Sequence, residues 1–160
     1  MLRILAATDF SQSSQPVLDY AAKLTQRSGG KMYLLHVVVP GPDCGVGMFS
    51  SGDLACPYPA MEAPPMELPG VLLEQADRTT KEIGAKVSDA WGGLDYYAKA
   101  EESENVVDCI LQFCKRHDIT MIAIGNRHHS LLSSILLGST AEKLIRHAHI
   151  PVTVVPCAEE

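Results

Sequence analysis

The stretch MIAIGNRHHSLLSSILLGST, Met121 to Thr140, decides how the chain is read. A short apolar strand ends in Gly125, twelve loop residues follow, and Gly138 stands directly before Ser139 and a run with helical spacing. A glycine lets the backbone approach an anion with no Cβ in the way. A helix N-terminus adds unpaired N–H groups and the positive end of a dipole. The same order of strand, glycine turn and helix also occurs in α/β proteins that hold no phosphate, so the spacing alone leaves both readings open. Ser139, with Glu142 three residues on, reads as an N-cap.

Working outward, Ala141, Leu144, Ile145 and Ala148 form the inner face of this helix, Pro151 stops it, and Val152 to Val155 is a last short strand. Upstream, Ser103 can cap a helix whose buried face is Val106, Val107, Ile110, Phe113 and Cys114. Asp95 to Ala100 is a more polar strand, as suits a sheet edge. Leu72, Ala76, Thr79, Ile83, Val87 and Ala90 make one stripe of a long helix ended by Gly92 and Gly93.

At the start, Arg3 to Ala7 and Lys31 to Val39 are nearly continuous apolar runs, the pattern of strands covered on both faces. Between them Pro16 fits the first turn of a helix, Val17, Leu18, Ala21, Ala22 and Leu24 recur at its spacing, and Gly29-Gly30 ends it. Strands thus alternate with helices, which calls for a parallel sheet with right-handed crossovers and helices on both faces. Ligands of such sheets bind at the carboxyl ends of strands where the strand order reverses. If the first and fourth strands are neighbours there, Asp9 and Gly125 share one crevice.

From Pro40 to Gly70 the composition changes, with seven of the ten prolines and five of the twelve glycines. That density breaks regular elements, so this 40–70 insertion in a single domain spanning 1–160 is a functional flap or a mobile insertion. Its Met48, Phe49, Leu54, Tyr58, Met61, Met66 and Leu68 are too apolar for a solvated linker; part of it is expected to pack on the domain or on a partner subunit, and it is the candidate contact for a protein partner.

The chain has 160 residues, 46% of them hydrophobic, with a mean hydropathy of +0.06, which suits a globular domain with a real core. A net charge of −6 argues against general attraction to nucleic acid or an anionic membrane. The opening MLRILAATDF does not read as a signal peptide and no run reaches the ~18 apolar residues of a membrane span, so a cytoplasmic location is expected. Five cysteines without a CxxC pair suit reduced thiols better than disulfides or zinc.

In order, ATDFS, LLHVV, the long insertion and IGNRHHSLLSSILLGSTAEKLIRHAHIPVTVVP resemble the universal stress protein family. Its nucleotide-binding members carry G-x2-G-x9-G-(S/T), and Gly125, Gly138 and Ser139 fall at the first glycine, the last glycine and the hydroxyl position. The resemblance implies a doubly wound five-stranded parallel sheet of order 3-2-1-4-5 and a dimer; Val152 to Val155, last in that order, is an edge that needs covering, so a homodimer through it is expected. The resemblance also implies a stress-linked role and an adenine nucleotide, ATP or AMP, at the switch point, with Mg accompanying ATP. Asp9 would accept from the ribose hydroxyls or approach the adenine edge, Ala7, Thr8 and Val37 would wall the base, and Ile124 and Gly125 would line the strand end. Gly138, Ser139 and Thr140 would hold phosphate. The second motif glycine is replaced by His128, whose side chain intrudes where phosphate would come close, though an imidazole can also donate to phosphate.

His128 and His129 read as a loop pair and not as metal ligands, because adjacent side chains rarely converge. Cys109 and Cys114 read as core thiols, and His147 and His149 as polar residues at a helix C-terminus. There is no nucleophile elbow, no GxxxxGK[ST] and no evident acid/base pair, so a binding and signalling module is expected and not an enzyme. The alternative is a dimeric interaction protein of the same fold whose pocket is vestigial.

Overall fold

A computed structural model describes residues 1–11, 14–40, 70–126 and 138–156. Among the described residues nine elements follow one another: β1 (Arg3–Thr8), α1 (Gln15–Ser28), β2 (Lys31–Val38), α2 (Val71–Ala90), β3 (Tyr96–Glu102), α3 (Val106–Arg116), β4 (Met121–Asn126), α4 (Ser139–His147) and β5 (Val152–Pro156). The strands form one parallel sheet of order β3-β2-β1-β4-β5. The chain starts in the middle, winds out to β3, and returns to lay β4 on the other side of β1. The reversal therefore lies between β1 and β4, where Ile4, Leu5 and Ala6 pair with Met121, Ile122 and Ala123.

Side chains alternate across each strand, so a central strand feeds two cores at once. Ile4, Ala6, Met32, Leu34 and Ala123 pack with Val17, Leu18, Ala21 and Ala22 of α1 and Val87 of α2. Leu5, Tyr33, Leu35, Ile122 and Ile124 pack on the opposite face with Val107, Ile110 and Phe113 of α3 and Ala141 and Leu144 of α4. Full burial of such an aliphatic or aromatic side chain stabilises by about 1.5–3 kcal/mol, which is why the sheet's centre carries the chain's most continuous apolar runs. Among the described residues no helix is long and apolar enough to cross a membrane.

Four local expectations are corrected. In α2 the buried residues are Thr80, Gly84, Val87 and Ser88, while Leu72 is 50% exposed and Thr79 and Ala90 face solvent. The helix presents small residues because it lies close on β3: a Cβ on Gly84 would stand 2.7 Å from the Tyr96 ring. Thr80 and Ser88 donate their hydroxyls to the Ala76 and Leu94 carbonyls, which makes their burial cheap.

In α3 the cap is Asn105, whose side chain accepts from the Val107 and Asp108 amides at 3.1 and 3.3 Å. Ser103 serves the turn before it, accepting from the Asn105 amide. In α4 the N-cap is Gly138, with Ser139 the first helical residue and no side-chain cap. Ile145, expected inside, is 48% exposed. The insertion, at residues 41–69, lies outside the described residues, as does His128.

Candidate functional site

At the carboxyl end of β1 the chain must leave the sheet and turn into α1, and polar side chains organise that turn. The Phe10 amide donates to Thr8 Oγ1 at 3.1 Å. Asp9 Oδ1 accepts from the Ser11 amide at 3.0 Å, from Ser11 Oγ at 2.5 Å and from Ser14 Oγ at 2.8 Å. Three donors on one oxygen hold the carboxylate in a single orientation at the strand end. Phe10, between them, has φ 63°, in the left-handed region.

Across the reversal, the chain from β4 returns to α4. The first helical bond of α4 runs from the Glu142 amide to the Gly138 carbonyl at 3.0 Å. The Ser139, Thr140 and Ala141 amides therefore have no acceptor within the helix, and among the described residues no side chain caps them. The neighbouring helix α3 differs, because Asn105 satisfies its first amides internally. Of these two N-termini, α4 is the one prepared for an anion.

These parts surround one cavity of about 380 Å³. Ala7, Thr8 and Asp9 line it from β1, Val37 from β2, and Ile124 and Gly125 from β4, while Gly138, Ser139 and Thr140 close it at the start of α4. Nine of the ten residues singled out from the sequence are thus brought together, and His128 lies outside the described residues. Six further residues line the cavity: Ser14, Val17, Leu35, Val106, Ile110 and Ala141. Five of them read as helix or strand core in the sequence, and no local signal separates a core residue from one at the cavity wall. Ser14, in the turn between Asp9 and α1, was not singled out in the sequence, and it holds the carboxylate.

Asp9 is the single charged residue among the described lining, and the walls are otherwise aliphatic side chains, small residues and hydroxyls. Such a cavity offers an apolar slot for a flat ring, a carboxylate for hydroxyl or amino donors, and free amides for an anionic group. Away from it, burial pushes the Cys109 thiol up to about 11 and the Cys114 thiol up to about 12, with the Glu101 carboxylate adding to the first. Both are held as thiols in the core, far from reactive thiolates. Among the described residues no group of three or more His, Cys, Asp or Glu is placed to hold a metal ion.

A parallel sheet that reverses beside an open-ended helix N-terminus, with a cavity at the reversal, defines a doubly wound α/β protein with its pocket at the switch point. The chain belongs to the universal stress protein family, whose sequence model matches residues 1–53 and 55–156. A universal stress protein of Methanocaldococcus jannaschii is 27% identical over 154 residues, 96% of this chain and 81% of the relative. Among solved structures, the fold is shared with a universal stress protein from Archaeoglobus fulgidus in complex with dAMP, at TM-score 0.63 and 20% identity, covering 97% of this chain and 98% of that one. It is shared too with a universal stress protein in complex with cAMP, at TM-score 0.67 and 16% identity, covering 98% of each chain.

Proposed function

We propose that the protein is an adenine-nucleotide-binding module of the cytoplasmic stress response, holding AMP or ATP in the cavity at the β1/β4 reversal and acting by binding and not by catalysis. The observation that carries this reading is the convergence of Asp9, Gly125 and the uncapped start of α4 on one cavity. Two proteins of the same fold whose structures hold adenine nucleotides, dAMP and cAMP, support the choice of ligand class.

In this reading Ala7, Thr8 and Val37 wall the base and Asp9 meets the nucleoside. Ile124 and Gly125 line the strand end. The Gly138, Ser139 and Thr140 amides with the Ser139 hydroxyl take the phosphate. His128 replaces a motif glycine and weakens a triphosphate more than a monophosphate; ATP would bring its own Mg. The module assembles as a two-fold dimer through β5, and the 40–70 insertion offers a surface to a protein partner.

Freshly purified protein, denatured and analysed by chromatography and mass spectrometry, should release an adenine nucleotide. By calorimetry Asp9→Ala should weaken AMP and ATP alike, because it acts at the nucleoside end. His128→Gly should tighten ATP about tenfold, the scale of one charge-assisted hydrogen bond. Protein that carries no nucleotide and binds neither AMP nor ATP would leave the vestigial-pocket reading in its place.

A further inference from the structure

A strand-end aspartate can point in many directions; Ser14, which helps to fix this one, lines the cavity, whereas Ser11, Phe10 and His36 do not. Beyond its hydrogen bonds to Ser11 and Ser14, the Asp9 turn depends on the backbone flip at Phe10, whose φ of 63° is a region that L side chains avoid. Something must hold an aromatic residue there. The Phe10 ring stacks on the His36 imidazole with centroids 3.8 Å apart and planes 21° from parallel. His36 pairs in register with Thr8 across the β1–β2 ladder, and its Nδ1 stands 2.9 Å from the Thr8 carbonyl. One imidazole thus grips both ends of the residue pair that flanks Asp9.

We propose that Phe10 and His36 form a clasp that positions the Asp9 carboxylate for the nucleoside, so that neither touches the ligand yet both set its affinity. The proposal rests on the nucleotide reading of the cavity. Loss of the stack should weaken AMP about three- to tenfold, the range that one aromatic stack is worth.

The test is calorimetric titration of the full chain with AMP, with thermal unfolding followed on the same samples. Phe10→Gly removes the ring while accepting the left-handed backbone without strain, so it should keep the melting temperature and lose affinity. His36→Gln keeps a donor for the Thr8 carbonyl and loses the stack, and should weaken AMP similarly. Phe10→Gly made in an Asp9→Asn background should cost nothing further, because the clasp acts through that carboxylate. Wild-type affinity in both single variants would overturn the clasp and leave the nucleotide reading standing. An equal loss with and without the Asp9 carboxylate would show a general effect on the fold and overturn the positioning role. A wild type that does not bind AMP would overturn clasp and reading together.

Discussion

Single residues with the same name do different work here, and Gly29 and Gly30 show it. Both read as the end of α1. Gly29 takes φ 59° with open space where a Cβ would be, an ordinary left-handed helix end. Gly30 is buried against the chain's start: a Cβ there would collide with the Leu2 carbonyl oxygen and stand 2.9 Å from Ser28 Oγ. That carbonyl cannot withdraw freely because it accepts from the Lys31 amide at 2.9 Å. Gly29→Asn should therefore be nearly neutral, since Asn tolerates the left-handed region, whereas Gly30→Ala should cost about 1–3 kcal/mol by overpacking. Urea unfolding midpoints of the two variants check this. Asp9 is the same kind of case: its place at a strand end was legible, while the Phe10 flip and the His36 stack that hold it involve β2 and left no local mark.

At the scale of elements, the caps and the edges were the least legible features. An aspartate inside α2 is unremarkable in sequence, but Asp77 Oδ1 accepts from the Ala100 amide of β3 at 3.0 Å, and Asp77 pairs with Lys81 at 2.5 Å. The helix thereby satisfies a donor on β3, at the sheet edge. Its side chain is 25% exposed, and the Lys81 ammonium, with the Ala100 amide assisting, holds its carboxyl below the ordinary 3.8. A depressed carboxylate contributes stability above its unfolded pKa and loses it as pH falls through the folded one. The stabilisation is therefore complete above about pH 4 and fades on further acidification, by the ~1 kcal/mol typical of a hydrogen bond. Asp77→Asn should lower the unfolding free energy near neutrality and converge with wild type in acid. A constant gap down to pH 2.5 would show that the charge is not the cause.

For the whole molecule, the two sheet edges are unequal. β3 is covered by α2, whereas β5, the other outer strand, carries half-buried Val152 and Val154, and α4, which contacts it, exposes Ile145. An edge strand with apolar side chains is stable in solution only when covered, so we expect a two-fold dimer in which β5 meets its symmetry mate. Light scattering should give a dimer for the wild type and a monomer for Val154→Lys. A wild-type monomer at micromolar concentration would remove the expectation. The sequence by itself determined the alternation of strands and helices and, through the family resemblance, the order 3-2-1-4-5. Apolar periodicity and glycine punctuation are local properties, and each survives being read along one segment. The face that α2 buries, the Asn105 cap and the aliphatic far wall of the cavity were decided only by tertiary structure. Each depends on what stands opposite: Gly84 is buried because Tyr96 comes close, and Val106 and Ile110 border the cavity because α3 packs against β2 and α4. Contacts between distant segments carry no periodicity, so only the folded chain reveals them.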